Sequence, residues 1–230
     1  MQRVAVVAGA TGLVGRELVR RLLLEKAYRR VIALARRPLA MSDRKLVTVP
    51  AAFERLDQVL ASETVNAQII DVFCCLGTTI GAAGSEAAFR RVDYEYAMAL
   101  GRWAAQVGAR RLIVISALGA DPASRIFYNR VKGEIERDLV ALGLPSLVIV
   151  RPSLLRGERS EFRLGERIAL ALSAPWRKLI PVRVRPISVA DVAKAMTDAA
   201  IAHRPPELIE SAAMQGAAER RAEEHEPCRL

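Results

Sequence analysis

The sequence predicts an α/β fold: a doubly wound parallel sheet carrying a small C-terminal lobe. Three observations predict it. An apolar run near the start, Val4-Ala5-Val6-Val7-Ala8, leads directly into Gly9-Ala10-Thr11-Gly12-Leu13-Val14-Gly15, where glycine recurs at every third position. Strand-like and helix-like stretches then alternate as far as Val150, the βαβ pattern that builds parallel sheets. The chain has 230 residues, 52% of them hydrophobic and only 5% aromatic, which allows one sizeable core and close packing of helices on a sheet.

Residues 4–8 read as a first strand, apolar without interruption because both of its faces are covered. The glycines that follow have separate tasks. Gly9 takes the turn's unusual backbone angles, Gly12 leaves the backbone open to a pyrophosphate, and Gly15 lets the next helix lie close to the strand. The spacing is G-x-x-G-x-x-G rather than the G-x-G-x-x-G of the standard fingerprint. Its place between a β-branched run and Leu18, Val19, Leu22 and Leu23 marks a strand, a tight turn and a helix whose first amides face an anion. Gly9, Thr11, Gly12, Leu13, Val14 and Gly15 are therefore candidate cofactor-binding residues.

That helix covers residues 13–26. Strands follow at 31–35 and 46–49, a short helix at 53–60 and a fourth strand at 68–76. A long helix covers 85–107, started by Ser85 and stopped by Gly108. A fifth strand at 112–116, a helix at 126–142 ended by Gly143 and Pro145, and a sixth strand at 146–150 complete the alternation. After Arg151-Pro152 the pattern changes to a polar turn (157–165), a helix (166–173), an extended stretch (182–187) and a helix over 188–203 with Ser188 as its N-cap. We expect one domain over residues 1–218, with 151–218 as its substrate lobe, and a polar, frayed tail over 219–230.

Composition narrows the function. Cys74 and Cys75 are neighbours in an apolar run and Cys228 is in the tail, so no zinc-type spacing exists and a reducing compartment is expected. His203 and His225 both fall near the C-terminus, which leaves histidine-based catalysis without support. No run approaches the ~20 apolar residues of a membrane span, and the apolar start runs into the glycine turn rather than a cleavage site. These readings give a cytoplasmic location without a membrane partner. The net charge is +10, but arginine pairs such as Arg20-Arg21 and Arg90-Arg91 are scattered and no aromatic platform accompanies them, so no nucleic-acid partner is expected.

The chemistry is carried by Tyr128-Asn129-Arg130-Val131-Lys132, a Tyr-x-x-x-Lys at the start of the predicted 126–142 helix. Residues i and i+4 share a helix face, and a nearby cation favours phenolate, which makes tyrosine a usable acid or base. Ser116 ends the fifth strand, and in a parallel sheet the strand C-termini face the ligand crevice. Ser116, Tyr128 and Lys132 can thus converge on one substrate oxygen. Cofactor choice rests on the end of the second strand, Leu34-Ala35-Arg36-Arg37-Pro38, which has no acid for a ribose 2′-hydroxyl. Arg36, with Arg37 second, matches a 2′-phosphate by charge and fork geometry, so NADP(H) is expected over NAD(H).

Together with Phe73-Cys74-Cys75-Leu76-Gly77-Thr78-Thr79, Phe89-Arg90-Arg91-Val92-Asp93-Tyr94, Ser116-Ala117-Leu118-Gly119-Ala120-Asp121 and Val150-Arg151-Pro152-Ser153-Leu154-Leu155, these motifs give the chain its likeness. It resembles the short-chain dehydrogenase/reductase superfamily, and within it the atypical branch similar to the Tat-interacting-protein oxidoreductases. The resemblance implies a Rossmann-like fold, NADP(H) binding and a catalytic trio of Ser116, Tyr128 and Lys132, with Lys132 also holding the nicotinamide ribose. It implies that Leu76, Gly77 and Thr78 line the cofactor crevice and that Pro152 and Ser153 meet the nicotinamide. By the same analogy the helices at 85–107 and 126–142 pair two copies into a homodimer. One departure stands out: many members carry a catalytic asparagine on the helix before the fifth strand, where this chain has Asp93, and no role is carried over to it.

The expected function is an oxidoreductase moving hydride to or from a small carbonyl or quinone-like compound. Two alternatives remain: a non-catalytic NADP(H)-binding regulator acting through protein partners, and a nucleotide-sugar epimerase or dehydratase. The latter needs a larger C-terminal domain than this chain provides after Val150.

Overall fold

The apolar runs of the sequence become the strands of one parallel sheet. The computed structural model describes residues 3–64, 69–156 and 181–215. Its strands are β1 (Arg3–Ala8), β2 (Tyr28–Ala35), β3 (Leu46–Pro50), β4 (Ile69–Cys74), β5 (Arg111–Ile115), β6 (Leu147–Arg151), β7 (Leu155–Arg156), β8 (Ile187–Ser188) and β9 (Leu208–Glu210). Seven of them form a sheet in the order β3-β2-β1-β4-β5-β6-β9, with every pair parallel, while β7 and β8 pair separately. The chain leaves β1 toward β2 and β3, then crosses back to β4 on the other side. Loops after β1 and β4 therefore diverge at one edge and leave a crevice there. The register makes that edge flush, because Ala8 of β1 pairs with both Leu34 and Cys74.

Helices cover both faces: α1 (Leu13–Leu24), α2 (Leu56–Thr64), α3 (Ile80–Ala83), α4 (Glu86–Arg90), α5 (Tyr96–Gln106), α6 (Phe127–Val140) and α7 (Val189–Ile201). Successive strand residues point to opposite faces, so each strand feeds two cores. Val4, Val6, Ile32, Val72, Cys74 and Leu112 pack with Leu60, Leu100 and Trp103 of α2 and α5. Ala5, Val7, Val31, Phe73 and Ile113 pack with Leu18 and Leu22 of α1 and Met196 of α7. The six strands expected before residue 152 are all present, and Ser188 caps α7 by accepting the Asp191 amide at 3.1 Å.

Three expectations are corrected. The helix expected over 85–107 is interrupted: Ser85 does start it, accepting the Ala88 amide at 3.1 Å, but a π-helical turn at Arg91–Glu95 separates α4 from α5. The stretch 182–187 is not extended. The amides of Val184 and Arg185 bond back to the Pro181 carbonyl at 3.0 and 3.1 Å, which closes a turn and leaves only β8 to pair. Finally, β9 adds a seventh strand that three residues behind Pro205-Pro206 did not announce; Val150 pairs with Ile209. The turn expected at 157–165, the helix at 166–173 and the tail at 219–230 lie outside the described residues.

Candidate active site

The glycine turn is built as its sequence requires. Gly9 sits at φ +77°, and a Cβ there would come within 2.3 Å of the Cys75 carbonyl oxygen. A Cβ on Gly15 would come within 2.1 Å of the Gly9 oxygen, so α1 can approach β1 only with glycine at that position. Gly12 is the N-cap of α1, and no side chain caps the helix. One detail differs from expectation: the Gly12 amide donates to the Gly9 carbonyl at 3.0 Å and belongs to the turn. Leu13 and Val14 bring the first helical turn to the crevice wall.

Beside that turn lies a cavity of about 550 Å³ at the C-terminal ends of β1, β4, β5 and β6. Gly12, Leu13, Val14, Leu76, Gly77, Thr78, Pro152 and Ser153 line it, and so do Ser116, Tyr128 and Lys132. The trio is brought together by close backbone packing. A Cβ on Gly133 would fall 2.2 Å from the carbonyl carbon of Asp121, so α6 rests directly on the loop that follows β5. The Asp121 amide donates to the Asn129 carbonyl at 3.1 Å and closes that contact. Ser116 continues β5, its amide bonded to the Val150 carbonyl at 2.8 Å. Its Oγ is buried with no hydrogen-bond partner among the described residues. The Tyr128 ring is half-buried and lies 5.6 Å from the Phe89 ring, centroid to centroid.

Lys132 is buried, and its Nζ lies 2.6 Å from one carboxylate oxygen of Asp93. The other oxygen accepts the Thr78 amide at 2.9 Å. Burial alone disfavours the ammonium, but the Asp93 carboxylate, with Tyr128 adding to it, outweighs burial and holds Lys132 above the ordinary lysine range.

Not every expected residue reaches the cavity. Gly9, Thr11 and Gly15 shape the turn behind it. Arg36 and Arg37 are exposed in the bend after β2 and are not part of the cavity wall. Conversely, Asp93, Cys75, Leu118, Leu154, Leu155 and Val184 line the cavity although no site role was expected of them. Leu154 and Leu155 directly follow Pro152-Ser153, so their proximity was signalled by position. Val184 arrives from a distant turn and had no such signal. Burial pushes the Cys75 thiol well above its ordinary value, which favours its protonated form.

A larger hollow of about 1000 Å³ lies at the opposite end of the sheet, among Arg3, Arg110, Arg111, Arg151 and His203. Three of its arginines are engaged by protein groups: Arg110 with Asp71, Arg151 with Glu136, and Arg111 with the carbonyls that end α7. It brings together no catalytic set.

The fold and crevice define the class, a Rossmann-like α/β protein with its crevice at the C-terminal ends of the strands. A family model described as NAD(P)H-binding matches residues 9–203, and the chain belongs to that family. Within it the chain is similar to the FMP52 proteins. It is 34% identical over 200 residues to "Protein FMP52, mitochondrial" of Candida albicans, covering 84% of this chain and 85% of the relative. The Eremothecium gossypii protein of the same name is 36% identical over 161 residues, 70% of each chain. These names overturn the expectation of a cytoplasmic location, since they place the relatives in mitochondria. Solved structures agree on the fold. A short-chain dehydrogenase from Burkholderia cenocepacia in complex with NADP superposes with a TM-score of 0.61 at 20% identity, covering 98% of each chain. MoeE5 in complex with UDP-glucose and NAD superposes with a TM-score of 0.66 at 18% identity, covering 89% of this chain and 74% of that one.

Proposed function

We propose that the protein is an NADP(H)-dependent oxidoreductase acting on a small carbonyl or quinone-like substrate. The observation that carries this reading is the shared cavity, in which the start of α1, the loop after β4 and the side chains of Ser116, Tyr128 and Lys132 face one space. The residues fit a dinucleotide. An uncapped helix N-terminus favours an anion, Gly12 presents no side chain to obstruct it, and the buried Ser116 Oγ awaits a polar partner. Arg36 and Arg37 stand exposed just past the end of β2, where the 2′ substituent of such a cofactor is met, and no carboxylate ends that strand.

A bound reduced nicotinamide supplies the hydride. The chain's own groups manage the oxygen. Tyr128 gives its phenolic proton to the carbonyl oxygen as the alcohol forms, then regains a proton from solvent. Ser116 Oγ donates a hydrogen bond to the same oxygen as negative charge grows on it. Lys132 stays charged beside them. Leu118, Leu154 and Leu155 add apolar surface to the cavity wall, and in the oxidative direction Tyr128 accepts the proton instead.

Titration of the purified protein with NADPH and NADH tests the reading. NADPH should bind tighter by about tenfold or more, equivalent to ~1.4 kcal/mol, and Arg36→Ala/Arg37→Ala should erase the difference. Equal affinities would remove the NADP preference. Failure to bind either nucleotide would overturn the enzyme reading and favour a regulator acting through protein partners.

A further inference from the structure

The structure gives Asp93 surroundings that an asparagine would not need. We propose that Asp93 is a positioning residue: its carboxylate locks Lys132 and the Thr78 loop together at the cavity wall and cancels the lysine's charge. The proposal rests on the oxidoreductase reading above.

The geometry joins three elements at one carboxylate. Asp93 comes from the π-helical turn, Lys132 from α6, and Thr78 from the loop after β4. Both charged side chains are buried, Asp93 completely and Lys132 to 5% exposure. Groups of this kind are rarely buried unless paired, because each loses its hydration. The π turn explains how Asp93 reaches the site. Its extra residue per turn rephases the helix, so Asp93 faces the cavity while α5 still packs its apolar side on the sheet.

The need for mechanical support does not account for the buried pair. The π turn and the end of α4 just before it are already tied to α6 by two contacts from residues outside the cavity wall. Arg90 donates to Glu134 at 2.5 Å, and the Tyr94 hydroxyl donates to Asp138 at 2.7 Å. The Asp93–Lys132 contact is a third tie between these elements, and it is the one that lines the cavity. Its distinct effects are chemical. The lysine is held in one place beside Tyr128, and the site carries no net fixed charge from the pair. The charged groups facing this lysine are Asp93 and, when ionised, Tyr128; Cys74, behind it in β4, is buried and has its thiol pushed up to about 11. The raised Lys132 agrees with a carboxylate that outweighs burial.

The test uses the full chain and the variants Asp93→Asn, Asp93→Glu and Asp93→Ala. Asparagine keeps the shape and an acceptor for the Thr78 amide but removes the charge. In cofactor-free protein, Lys132 should titrate above the ordinary lysine value of about 10.4 by carbon-13 lysine NMR, and below it in Asp93→Asn. Hydrogen exchange in the loop that contains Thr78 should accelerate in Asp93→Ala but not in Asp93→Asn. With NADPH and an ortho-quinone, Asp93→Asn should lower kcat about 10- to 100-fold while leaving KM for NADPH within about threefold. Asp93→Glu, which keeps the charge, should recover part of kcat, and it supplies the comparison if Asp93→Ala fails to fold. An Asp93→Asn protein with unchanged Lys132 titration and unchanged kcat would overturn the proposal while leaving the oxidoreductase reading intact. A wild type that binds no NADPH would overturn that reading, and the cofactor-free measurements would still decide whether Asp93 holds Lys132.

Discussion

The two ends of the sheet each bury a carboxylate, and they treat it differently. At the N-terminal end, Asp71 of β4 is wholly buried and accepts the Tyr28 hydroxyl at 2.7 Å and two nitrogens of Arg110 at 2.8 and 2.7 Å. Arg3 adds its charge at 3.9 Å. Next to it, Arg111 reaches the carbonyls of Ala199, Ala200 and Ala202 and so caps the C-terminus of α7. At the C-terminal end, Asp93 meets Lys132 and one amide, and Ser116 Oγ beside the same cavity has no partner among the described residues. Protein groups answer the polar atoms at one end and leave some open at the other. Saturation of this kind serves stability, whereas a buried polar atom left open beside a cavity is available to a ligand.

Variants can break this contrast. The largest effect is expected at the open end: Tyr128→Phe should cut turnover by about 10²- to 10⁴-fold with little change in the denaturant midpoint. A variant that retained full turnover would remove Tyr128 from the mechanism. Asp71→Ala should do the reverse. Leaving Arg110 and Tyr28 without their buried partner should cost about 3–5 kcal/mol in urea unfolding, while NADPH affinity of the folded fraction holds. If cofactor affinity fell while stability did not, the two ends would not be separable in this way.

The smallest effect sharpens the comparison through pH. Burial first, and the Asp71 carboxylate second, push the Tyr28 phenol far above its ordinary value. The unfolded chain ionises this tyrosine near pH ~10 and the folded chain does not, so its contribution is complete below that pH and lost as pH rises beyond it. Tyr28→Phe should cost about 1 kcal/mol at neutral pH. The gap to wild type should close as denaturation is repeated from pH 8 to about pH 11. A gap constant with pH would mean that Tyr28 keeps no buried proton.

Local signals account for much of this. The G-x-x-G-x-x-G turn, the alternation that made the sheet, the helix start at Ser188 and the face shared by Tyr128 and Lys132 are short-range patterns fixed by backbone sterics, periodicity and hydrogen-bond geometry. Asp71 sits in a run, Ile69-Ile70-Asp71-Val72-Phe73, that reads as an apolar strand, and nothing local shows that Tyr28 and Arg110 meet it. Likewise Leu208–Glu210 is too short to declare itself a strand until β6 offers an edge to pair with. By itself, the sequence determined the fold class, the tight glycine turn and the three residues proposed for catalysis, because each depends on neighbours a few positions apart. Only the tertiary structure decided which buried charges meet. A π turn rotated Asp93 onto Lys132, and strand pairing closed Asp71 among Tyr28, Arg110 and Arg3. Those partners lie far apart in the chain, and the energy that joins them arises once burial has removed the water that would otherwise satisfy each one.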